Sequence, residues 1–415
     1  MKTASVLLNK PIQTPKKIIV MIQKTITIPD DGYIVRKPDQ LSIDPVILNR
    51  LTKLARDKQW SVFTIHTHPG ADEAWFSKAD DKGDARLMPS LHCQIPCATH
   101  GSIVLASSGK FIVRAFDADA VSTEVPMQVV GKSITTSRLR LINKEQWFAR
   151  QELALGEAGQ AKLRNLRVGI VGLGGIGSLV SMQLSHLGVG ELVLIDGDTV
   201  ESSNVSRIVG ARKCDAGKST KVDVAASYAE SLGLASRVES FPEYLSADHE
   251  PLIASCDVVM SCVDTHSARA LLNRFSYKYH VPVIDLGTVF RVDGTGSMVS
   301  DAGRVVTIGP GRPCLACWGH IDSNAIRIES LSREDLENEI NEGYVEGASV
   351  QQPSVISFNT YVAGAGVTEL LRLVTEFSGA ESPPNRLAFS FREGVVRRNA
   401  LAGNSRCTIC SDCRE

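Results

Sequence analysis

Short apolar runs, separated by polar and glycine-rich turns, recur through the second half of the chain and predict alternating strands and helices. The run Val168–Val171 has the length of a buried strand, and a helical pattern follows it as far as Leu187. Further runs of strand length are Leu192–Ile195, Val258–Val263 and Val281–Leu286. Strands that alternate with helices predict an α/β fold with a doubly wound, Rossmann-like parallel sheet.

The first part of the chain has a different pattern, in which strand-like runs surround one amphipathic helix. The helix is predicted over Pro45–Lys58, because its apolar residues fall on one face. The predicted strands are Lys17–Ile28, Tyr33–Val35, Ser61–Ile65, Ser102–Ala106 and Lys110–Arg114. We therefore expect a smaller α/β domain over residues 1–140, followed by a larger domain over residues 145–415.

Four glycines follow the first strand of the larger domain: Gly172, Gly174, Gly175 and Gly177. Glycine permits a tight turn and leaves the backbone bare, so that a pyrophosphate can bind the amides at the helix N-terminus. Asp196 ends the second strand, where an acidic residue can bind the ribose hydroxyls of a nucleotide. These features alone would equally fit an NAD-dependent oxidoreductase.

Five further polar residues narrow the prediction, and they follow one another as Asp198, Asn204, Arg207, Lys221 and Asp264. A hydride-transfer enzyme has no need for so many charged groups around the phosphates. An adenylating enzyme needs them, because it offsets the charge of a triphosphate and holds magnesium while a carboxylate attacks the α-phosphorus. Asp264 follows an apolar strand, and parallel sheets place their ligands at that end of a strand.

Residues 146–415 resemble the ThiF/MoeB/HesA family, the bacterial relatives of ubiquitin-activating enzymes. The resemblance rests on the glycine turn and on the motifs D-x-D, S-N-x-x-R and D-x-x-x-x-R, in that order. It implies that ATP is the nucleotide, with Asp264 on Mg²⁺ and Arg207 on the phosphates. Of two neighbouring lysines, the resemblance selects Lys221 for the phosphates and leaves Lys218 as a surface charge.

The same resemblance implies a protein substrate and a dimer. The substrate would be a ubiquitin-like or sulfur-carrier protein with a Gly-Gly C-terminus, whose terminal carboxylate is adenylated. The segment W-F-A-R-Q at 147–151 resembles the entry motif of the family, whose arginine reaches the ATP site of the partner subunit in a homodimer. Arg150 would be that residue, and the plainer interpretation is a surface arginine at a helix start.

Two histidines in the smaller domain, His66 and His68, alternate along an extended segment and so point the same way. Together with Asp80 they could bind one zinc ion and leave a position for water, which is the arrangement of hydrolytic sites. The plainer interpretation is that the two histidines merely end a strand. Pro69 and the following S-x-x-D, from Ser77 to Asp80, favour the metal site.

This pattern resembles the JAMM (JAB/MPN) metalloprotease motif, whose members cleave after the C-terminus of ubiquitin or a ubiquitin-like protein. The resemblance assigns His66, His68 and Asp80 to zinc and Ser77 to the tetrahedral oxyanion. The general base of that family is an early glutamate, and residues 1–66 contain none. Either the start of the chain is truncated, or the domain binds zinc without turnover, since losing a general base costs about 10²–10⁴ in rate.

The chain has ten cysteines, and four of them form two C-x-x-C pairs. The pairs Cys314/Cys317 and Cys407/Cys410 predict one closed, structural four-cysteine zinc site, with Cys413 as an alternative to Cys407. Disulfides are the poorer alternative in a chain without a signal peptide. The run L-H-C-Q-I-P-C-A-T-H-G at 91–101 could hold a second zinc, but core and loop residues are the plainer account.

Overall charge and hydropathy give no reason to expect a nucleic-acid or membrane partner. The formal net charge is −1, and no apolar run approaches the roughly 18 residues of a membrane span. We expect a cytoplasmic protein. The polar segment 319–352 has no cysteine for a thioester, which predicts that the reaction stops at the acyl-adenylate. A non-catalytic zinc-binding scaffold remains the other alternative.

Overall fold

The computed structural model of the protein describes residues 1–14, 18–38, 40–96, 98–131, 133–137, 145–234, 237–293, 295, 297–342, 345, 353–375, 377–379 and 385–411. The chain forms two compact units. The N-terminal unit comprises Met1–Val129 with Thr135–Leu139, and the C-terminal unit comprises Val130–Ile134 with Arg140–Glu415.

The N-terminal unit is built on one mixed sheet of six strands. The strands of the whole unit are β1 (Ala4–Gln13), β2 (Ile18–Thr27), β3 (Tyr33–Arg36), β4 (Leu41–Ile43), β5 (Ser61–His68), β6 (His100–Ala106), β7 (Phe111–Phe116) and β8 (Ser122–Glu124). The sheet order is β2-β1-β5-β6-β7-β8, while β3 and β4 form a separate pair. Strands β5 and β6 run parallel, and their neighbours pair antiparallel. The helices are α1 (Pro45–Asp57) and α2 (Lys78–Gln94).

Both faces of this sheet are covered, as the alternation of side chains along β1 shows. Leu8 belongs to a buried cluster with Met88 and Leu91 of α2, whereas Leu7 packs with Phe63 and Val113 on the other face. The sequence pattern did not predict α2, because Pro89 interrupts its helical pattern. Ser77 begins the helix through a capping box with Asp80.

The C-terminal unit contains an eight-stranded sheet. In chain order, after the short pair β9 (Gln128–Val130) and β10 (Ile134–Thr136), its strands are β11 (Arg167–Val171), β12 (Glu191–Ile195), β13 (Arg237–Phe241), β14 (Val258–Ser261), β15 (Val283–Val292), β16 (Met298–Ile308), β17 (Arg386–Ser390) and β18 (Val395–Asn399). The sheet order is β13-β12-β11-β14-β15-β16-β17-β18. Neighbouring strands from β13 to β15 are parallel, and the last three pair antiparallel.

Helices cover both faces of this sheet, each over its own apolar core. They are α3 (Ala149–Asn165), α4 (Gly175–His186), α5 (Lys221–Ser231), α6 (Glu250–Ala254), α7 (His266–Tyr279), α8 (Ser323–Glu329), α9 (Arg333–Asn341) and α10 (Ile356–Thr375). One core joins Leu184 of α4 with Leu370 of α10, and the other joins Phe275 of α7 with Cys314 and Cys410. The order of β13 to β15, with its reversal between β11 and β14, confirms the predicted Rossmann-like α/β fold.

Two further predictions concern segments between these elements, and a third concerns membrane spans. The polar segment 319–352 contains α8 and α9, whereas 343–344 and 346–352 lie outside the described residues. The boundary predicted between residues 140 and 145 falls on 140–144, which also lie outside them. Among the described helices, none combines the length and apolar character needed to cross a membrane.

Candidate nucleotide and metal sites

The glycine turn connects β11 to α4, and its conformation depends on glycine. Gly172 has a φ of 85°, and a Cβ at Gly177 would lie only 1.8 Å from the carbonyl oxygen of Gly172. A Cβ at Gly174, the residue before α4, would meet nothing within 4 Å. The turn is therefore tight on its inner side and open at the helix N-terminus, where a phosphate would approach.

Two side chains from distant segments reach this turn at Gly175. A Cβ at that glycine would lie 3.4 Å from Cδ of Arg207 and 2.3 Å from Nδ2 of Asn359. The Arg207 guanidinium donates to the carbonyl oxygen of Ser203 at 2.7 Å. Asn359, on α10, is 1% exposed and donates to the Ser354 hydroxyl. Asn359 was not predicted from the sequence, because no motif spacing links α10 to the turn.

Asp196, Asp198 and Lys221 form a connected group beside the turn. Asp196 accepts a hydrogen bond from the Leu173 amide at 2.5 Å, and its other oxygen lies 3.9 Å from Nζ of Lys221. The same Nζ lies 2.5 Å from Asp198, whose other oxygen accepts from the hydroxyl of Tyr244. Lys221 therefore bridges both acids of the D-x-D motif, as its place at the start of α5 allows.

The pKa values of these two carboxylates are displaced in opposite directions. Burial raises the pKa of Asp196 above its usual value, although the Leu173 amide and Lys221 oppose the shift. Burial acts in the same direction on Asp198, but hydrogen bonds from Lys221 and Tyr244 outweigh it and lower the pKa of Asp198. The hydrogen bond to Asp198 raises the pKa of Tyr244 to about 12. Tyr244, which was not predicted from the sequence, also packs its ring against Gly197.

A cavity of about 560 Å³ opens next to Asp198. Its lining includes Gly197, Asp198, Thr199, Glu201, Ser202 and Tyr244. Asn204 lies at the end of the 3-10 turn that begins at Ser202, where it is buried and caps the turn through Glu201 and Ser203. Asn204 therefore shapes the loop that carries Arg207.

Asp264 follows β14 on the same edge of the sheet. The carbonyl of Cys262, two residues earlier, would lie 2.7 Å from a Cβ at Gly172, so the strand end touches the glycine turn. The Asp264 side chain is exposed, and its negative charge contributes to the raised pKa of Tyr244. Arg269 donates to the carbonyls of Val263 and Asp264 and so holds this strand end.

The four cysteines of the two C-x-x-C pairs meet in one cluster. Their sulfurs all lie within 4.8 Å of one another, with 3.6 Å between Cys314 and Cys407 and 3.7 Å between Cys317 and Cys410. A tetrahedral zinc with bonds of 2.3 Å needs sulfurs about 3.8 Å apart, so the residues fit that ion. The alternative ligand Cys413 lies outside the described residues.

The pKa values of two cluster thiols are displaced in opposite directions. Burial raises the pKa of Cys314 to about 12. Burial acts to raise that of Cys407 as well, but amides of Ile409 and Cys410 outweigh it and lower the pKa to about 6. Zinc would bring the positive charge that all four sulfurs need in order to be deprotonated together.

A family model described as the ThiF family matches residues 148–409, well over half of the chain. The chain belongs to the ThiF family. Its described residues place the glycine turn, both acids of D-x-D, Arg207, Lys221 and Asp264 at one edge of the sheet of this family's fold.

Curated proteins similar to the chain include two named adenylyltransferase and sulfurtransferase uba4. The protein from Aspergillus clavatus is 29% identical over 267 residues, which are 62% of this chain and 49% of the relative. The protein from Aspergillus terreus is 34% identical over 260 residues, which are 62% of this chain and 50% of the relative. The chain thus spans about half the length of these curated relatives.

Solved structures similar to this ThiF-family chain include those of MccB from E. coli. The complex described as MccB with MccA-N7isoASN has a TM-score of 0.53 at 20% identity and covers 65% of this chain and 75% of MccB. The microcin C7 biosynthetic enzyme MccB with N-formylated MccA has a TM-score of 0.52 at 21% identity, with 64% and 75% covered. Similarity at this level of identity concerns the fold.

Outside the residues that the ThiF model matches, His66, His68 and Asp80 meet in the N-terminal unit. The distance between the two Nε2 atoms is 3.2 Å, and the Asp80 oxygens lie 3.0 Å from His66 and 3.5 Å from His68. A zinc ion bound at 2.0–2.1 Å by three tetrahedral ligands needs them about 3.3 Å apart. This trio therefore fits one zinc ion with an open position.

Hydrogen bonds orient the third residue of the trio. The Ser77 hydroxyl and amide both donate to Asp80 at 2.7 Å. Burial acts to raise the pKa of Asp80, but bonds from His66 and Ser77 outweigh it and hold that pKa well below its usual value. Burial, followed by the charges of Lys2 and His66, lowers the pKa of His68. The trio thus combines a charged carboxylate with a neutral imidazole, the forms that bind metal.

The remaining candidate residues have separate surroundings. Arg150 is exposed in the first turn of α3. His92 and His100 are buried, and their Nε2 atoms lie against the carbonyls of Phe116 and Ile95. Cys97 lies outside the described residues. Among the residues that the structure describes, the four cysteines and the trio are the groups that could hold a metal.

Proposed function

We propose that the chain adenylates the C-terminal glycine of a ubiquitin-like or sulfur-carrier protein with ATP. One observation carries the proposal: Arg207, Lys221 and Asp264 come from three distant segments and lie around the glycine turn. A nucleotide site that only had to bind NAD would not need both cations and the exposed acid. The curated relatives are named adenylyltransferases, which supports the same activity. A crystal structure of MccB, which has the same fold, was determined with ATP and gives further support.

In the proposed reaction, an oxygen of the terminal carboxylate attacks the α-phosphorus of ATP. The bond from that phosphorus to the bridging oxygen breaks, and pyrophosphate leaves with its electron pair. Arg207 and Lys221 would offset the phosphate charge, and Asp196 would accept hydrogen bonds from the ribose. Magnesium bound at Asp264, with Asp198 nearby, would stabilise the charge on the phosphates.

A second copy of the chain completes this proposal. Arg150 is exposed at the start of α3, so its guanidinium can reach beyond its own subunit. We assign it to the phosphates bound by the partner in a homodimer. Arg150→Ala is expected to lower adenylation without changing the dimer, because the arginine serves the partner's site alone.

The test of the adenylation proposal is ATP–pyrophosphate exchange in the presence of a Gly-Gly-ended carrier protein. We expect exchange that requires the carrier and falls by about 10²-fold or more in Asp264→Ala. Exposed Asp223→Ala, whose carboxylate only caps α5 through Thr220, is the matched control. Purification with bound NAD and no affinity for ATP would contradict the proposal. Normal zinc content without any exchange would indicate a scaffold.

The trio supports a second activity, a zinc-dependent hydrolase that cleaves after the C-terminus of the same class of protein. Zinc at His66, His68 and Asp80 would activate water, and Ser77 would turn its hydroxyl hydrogen, which Asp80 accepts in this structure, to the oxyanion. His68→Ala is expected to remove one zinc ion per chain and any cleavage of a carrier–peptide fusion. Zinc binding without cleavage in the unmodified chain would favour a zinc-binding role, in keeping with the lack of glutamate in residues 1–66.

A further inference from the structure

A polar row crosses the middle of the C-terminal sheet on one face. Strand register pairs Ser261 with Asp285, Asp285 with Val306, and Val306 with Arg386. Residues directly opposite each other in a sheet share a face, and so do residues two apart along a strand. Arg304, two residues before Val306, therefore lies on this same face.

Asp285 is the acid of this row and is fully buried. It accepts from the Ser261 hydroxyl at 2.9 Å, and it forms ion pairs with two arginines. Nε of Arg269 lies 3.4 Å from one carboxylate oxygen, and Nε of Arg304 lies 3.3 Å from the other. One carboxylate is thus shared between two guanidinium groups.

A third arginine and a histidine belong to the group without such a partner among the described residues. Arg386 stacks over the Trp318 ring at 5.6 Å, and its buried Nε has no hydrogen-bond partner among the described residues. The Nε2 atom of His320 and the indole nitrogen of Trp318 are also buried without a hydrogen-bond partner in the described chain. Three half-buried side chains therefore each have one buried nitrogen atom without a hydrogen-bond partner among the described residues, at a place rich in positive charge.

The surroundings of Arg304 and His320 show this excess of positive charge. Burial, with the charges of Arg269 and Arg386, lowers the pKa of Arg304 although Asp285 opposes the shift. Burial and the charges of Arg304 and Arg386 lower the pKa of His320 to about 4. Within the described chain, three arginines face one carboxylate, and a buried excess of charge is costly unless an anion compensates for it.

We propose that Arg304, Arg386 and His320, backed by Arg269, form an oxyanion-binding site. The ligand class is a carboxylate or a phosphate, which the planar guanidinium binds through paired hydrogen bonds. Asp285 holds Arg269 and Arg304 in place. Arg386, which forms no ion pair with an acid among the described residues, provides the positive charge that the ligand would neutralise.

The site adjoins the nucleotide edge through Arg269. That arginine contacts Asp285 and also donates to the carbonyls of Val263 and Asp264, next to the proposed magnesium ligand. If the chain adenylates a carboxylate, the terminal carboxylate of the incoming polypeptide is the ligand at hand. This identity rests on the proposed function, whereas the oxyanion site itself does not.

The test is a calorimetric titration of the full chain with two probes, inorganic phosphate and a peptide that ends in a free Gly-Gly carboxylate. Arg386→Gln is expected to weaken binding of the true ligand by about 10-fold or more, the usual scale for a charged hydrogen bond. Arg397→Gln, at an exposed position of β18, is the matched control and should bind like the unmodified chain. The peptide with a C-terminal amide should not bind if the carboxylate is the ligand.

The outcomes separate this site from the proposed function. Weakened binding of phosphate alone in Arg386→Gln supports a phosphate site, and weakened binding of the acid peptide alone supports a carboxylate site. Equal binding of both probes by Arg386→Gln and Arg397→Gln overturns the proposal, even where exchange is normal. Arg386-dependent binding in a chain without exchange would keep the site and reject adenylation. His320→Gln, which leaves all the arginines in place, repeats the comparison should Arg386→Gln unfold.

Discussion

The two units assemble their candidate sites in different ways. In the N-terminal unit, one strand end and the start of the next helix supply the whole trio, so the motif is local in sequence. In the C-terminal unit, the glycine turn, Lys221 and Asp264 come from separate segments, and the cysteine cluster joins positions 93 residues apart. A local site depends on one strand and one cap, whereas the distributed site depends on the whole sheet.

Because the cores of the two units contain no common residue, loss of the site in one unit should leave the site in the other unit intact. The buried clusters of the N-terminal unit and those of the C-terminal unit have separate members. Changes that unfold one unit are therefore expected to spare the chemistry of its neighbour. The following predictions sharpen this comparison.

The largest expected effect is loss of the cysteine cluster. Cys407→Ser should remove one zinc ion per chain and lower the free energy of unfolding of the C-terminal unit by about 5 kcal/mol or more, since structural zinc contributes its binding free energy to folding. Zinc analysis and urea unfolding measure both quantities. Cys214→Ser, at an exposed thiol of the same unit, should change neither. Loss of zinc from the trio as well would contradict the independence of the units.

A smaller effect is expected from pH in the N-terminal unit. Burial lowers the pKa of His100 to about 4, whereas the unfolded chain titrates near 6.5. The unfolded state therefore binds more protons between these values, and the stability present above pH 6.5 should fall as pH drops, by up to about 3 kcal/mol.

Amide exchange of β5 reports this effect, because the Val62 amide donates to Nδ1 of His100. His100→Asn keeps a hydrogen-bond acceptor but does not titrate, so this variant should lose most of the pH slope. An unchanged slope would show that His100 is not its source.

The smallest effect is expected at the cap of α2. Ser77→Ala removes the hydroxyl that donates to Asp80 and caps the helix, which should cost about 1 kcal/mol of stability. Zinc affinity of the trio should fall by about 10- to 100-fold, because such partners orient metal ligands. Competition with a fluorescent chelator measures the affinity. Ser90→Ala, exposed on the same helix, should leave the affinity unchanged.

The sequence predicted those elements and sites that depend on residues close together in the chain or on a regular spacing of residue types. Apolar runs predicted the parallel strands β11, β12, β14 and β15 but not β13, whose sequence R-V-E-S-F contains no apolar run. Glycine spacing predicted the turn where Gly172 needs a positive φ. Alternation along an extended strand brought His66 and His68 together. The spacing of the two C-x-x-C pairs was enough to predict the four-cysteine cluster.

What the sequence did not predict depends on tertiary contacts between distant segments. Helix α2 was not predicted because Pro89 interrupts its helical pattern. Asn359 lies on a helix far along the chain from Gly175, the glycine that it contacts. Asp285, Arg304 and Arg386 look like ordinary strand residues until the strand register brings them to one face. Tyr244 follows β13 in a polar loop, and only the fold brings its hydroxyl to Asp198.

The measurement that tests the central claim most directly compares two lysines three positions apart in carrier-dependent ATP–pyrophosphate exchange. Lys221 contacts both acids beside the glycine turn, whereas Lys218 is exposed. Lys221→Ala is predicted to lose exchange by about 10²-fold or more, and Lys218→Ala to retain it. Equal exchange in the two variants would contradict the account, because the cluster around the turn would then play no part in the chemistry.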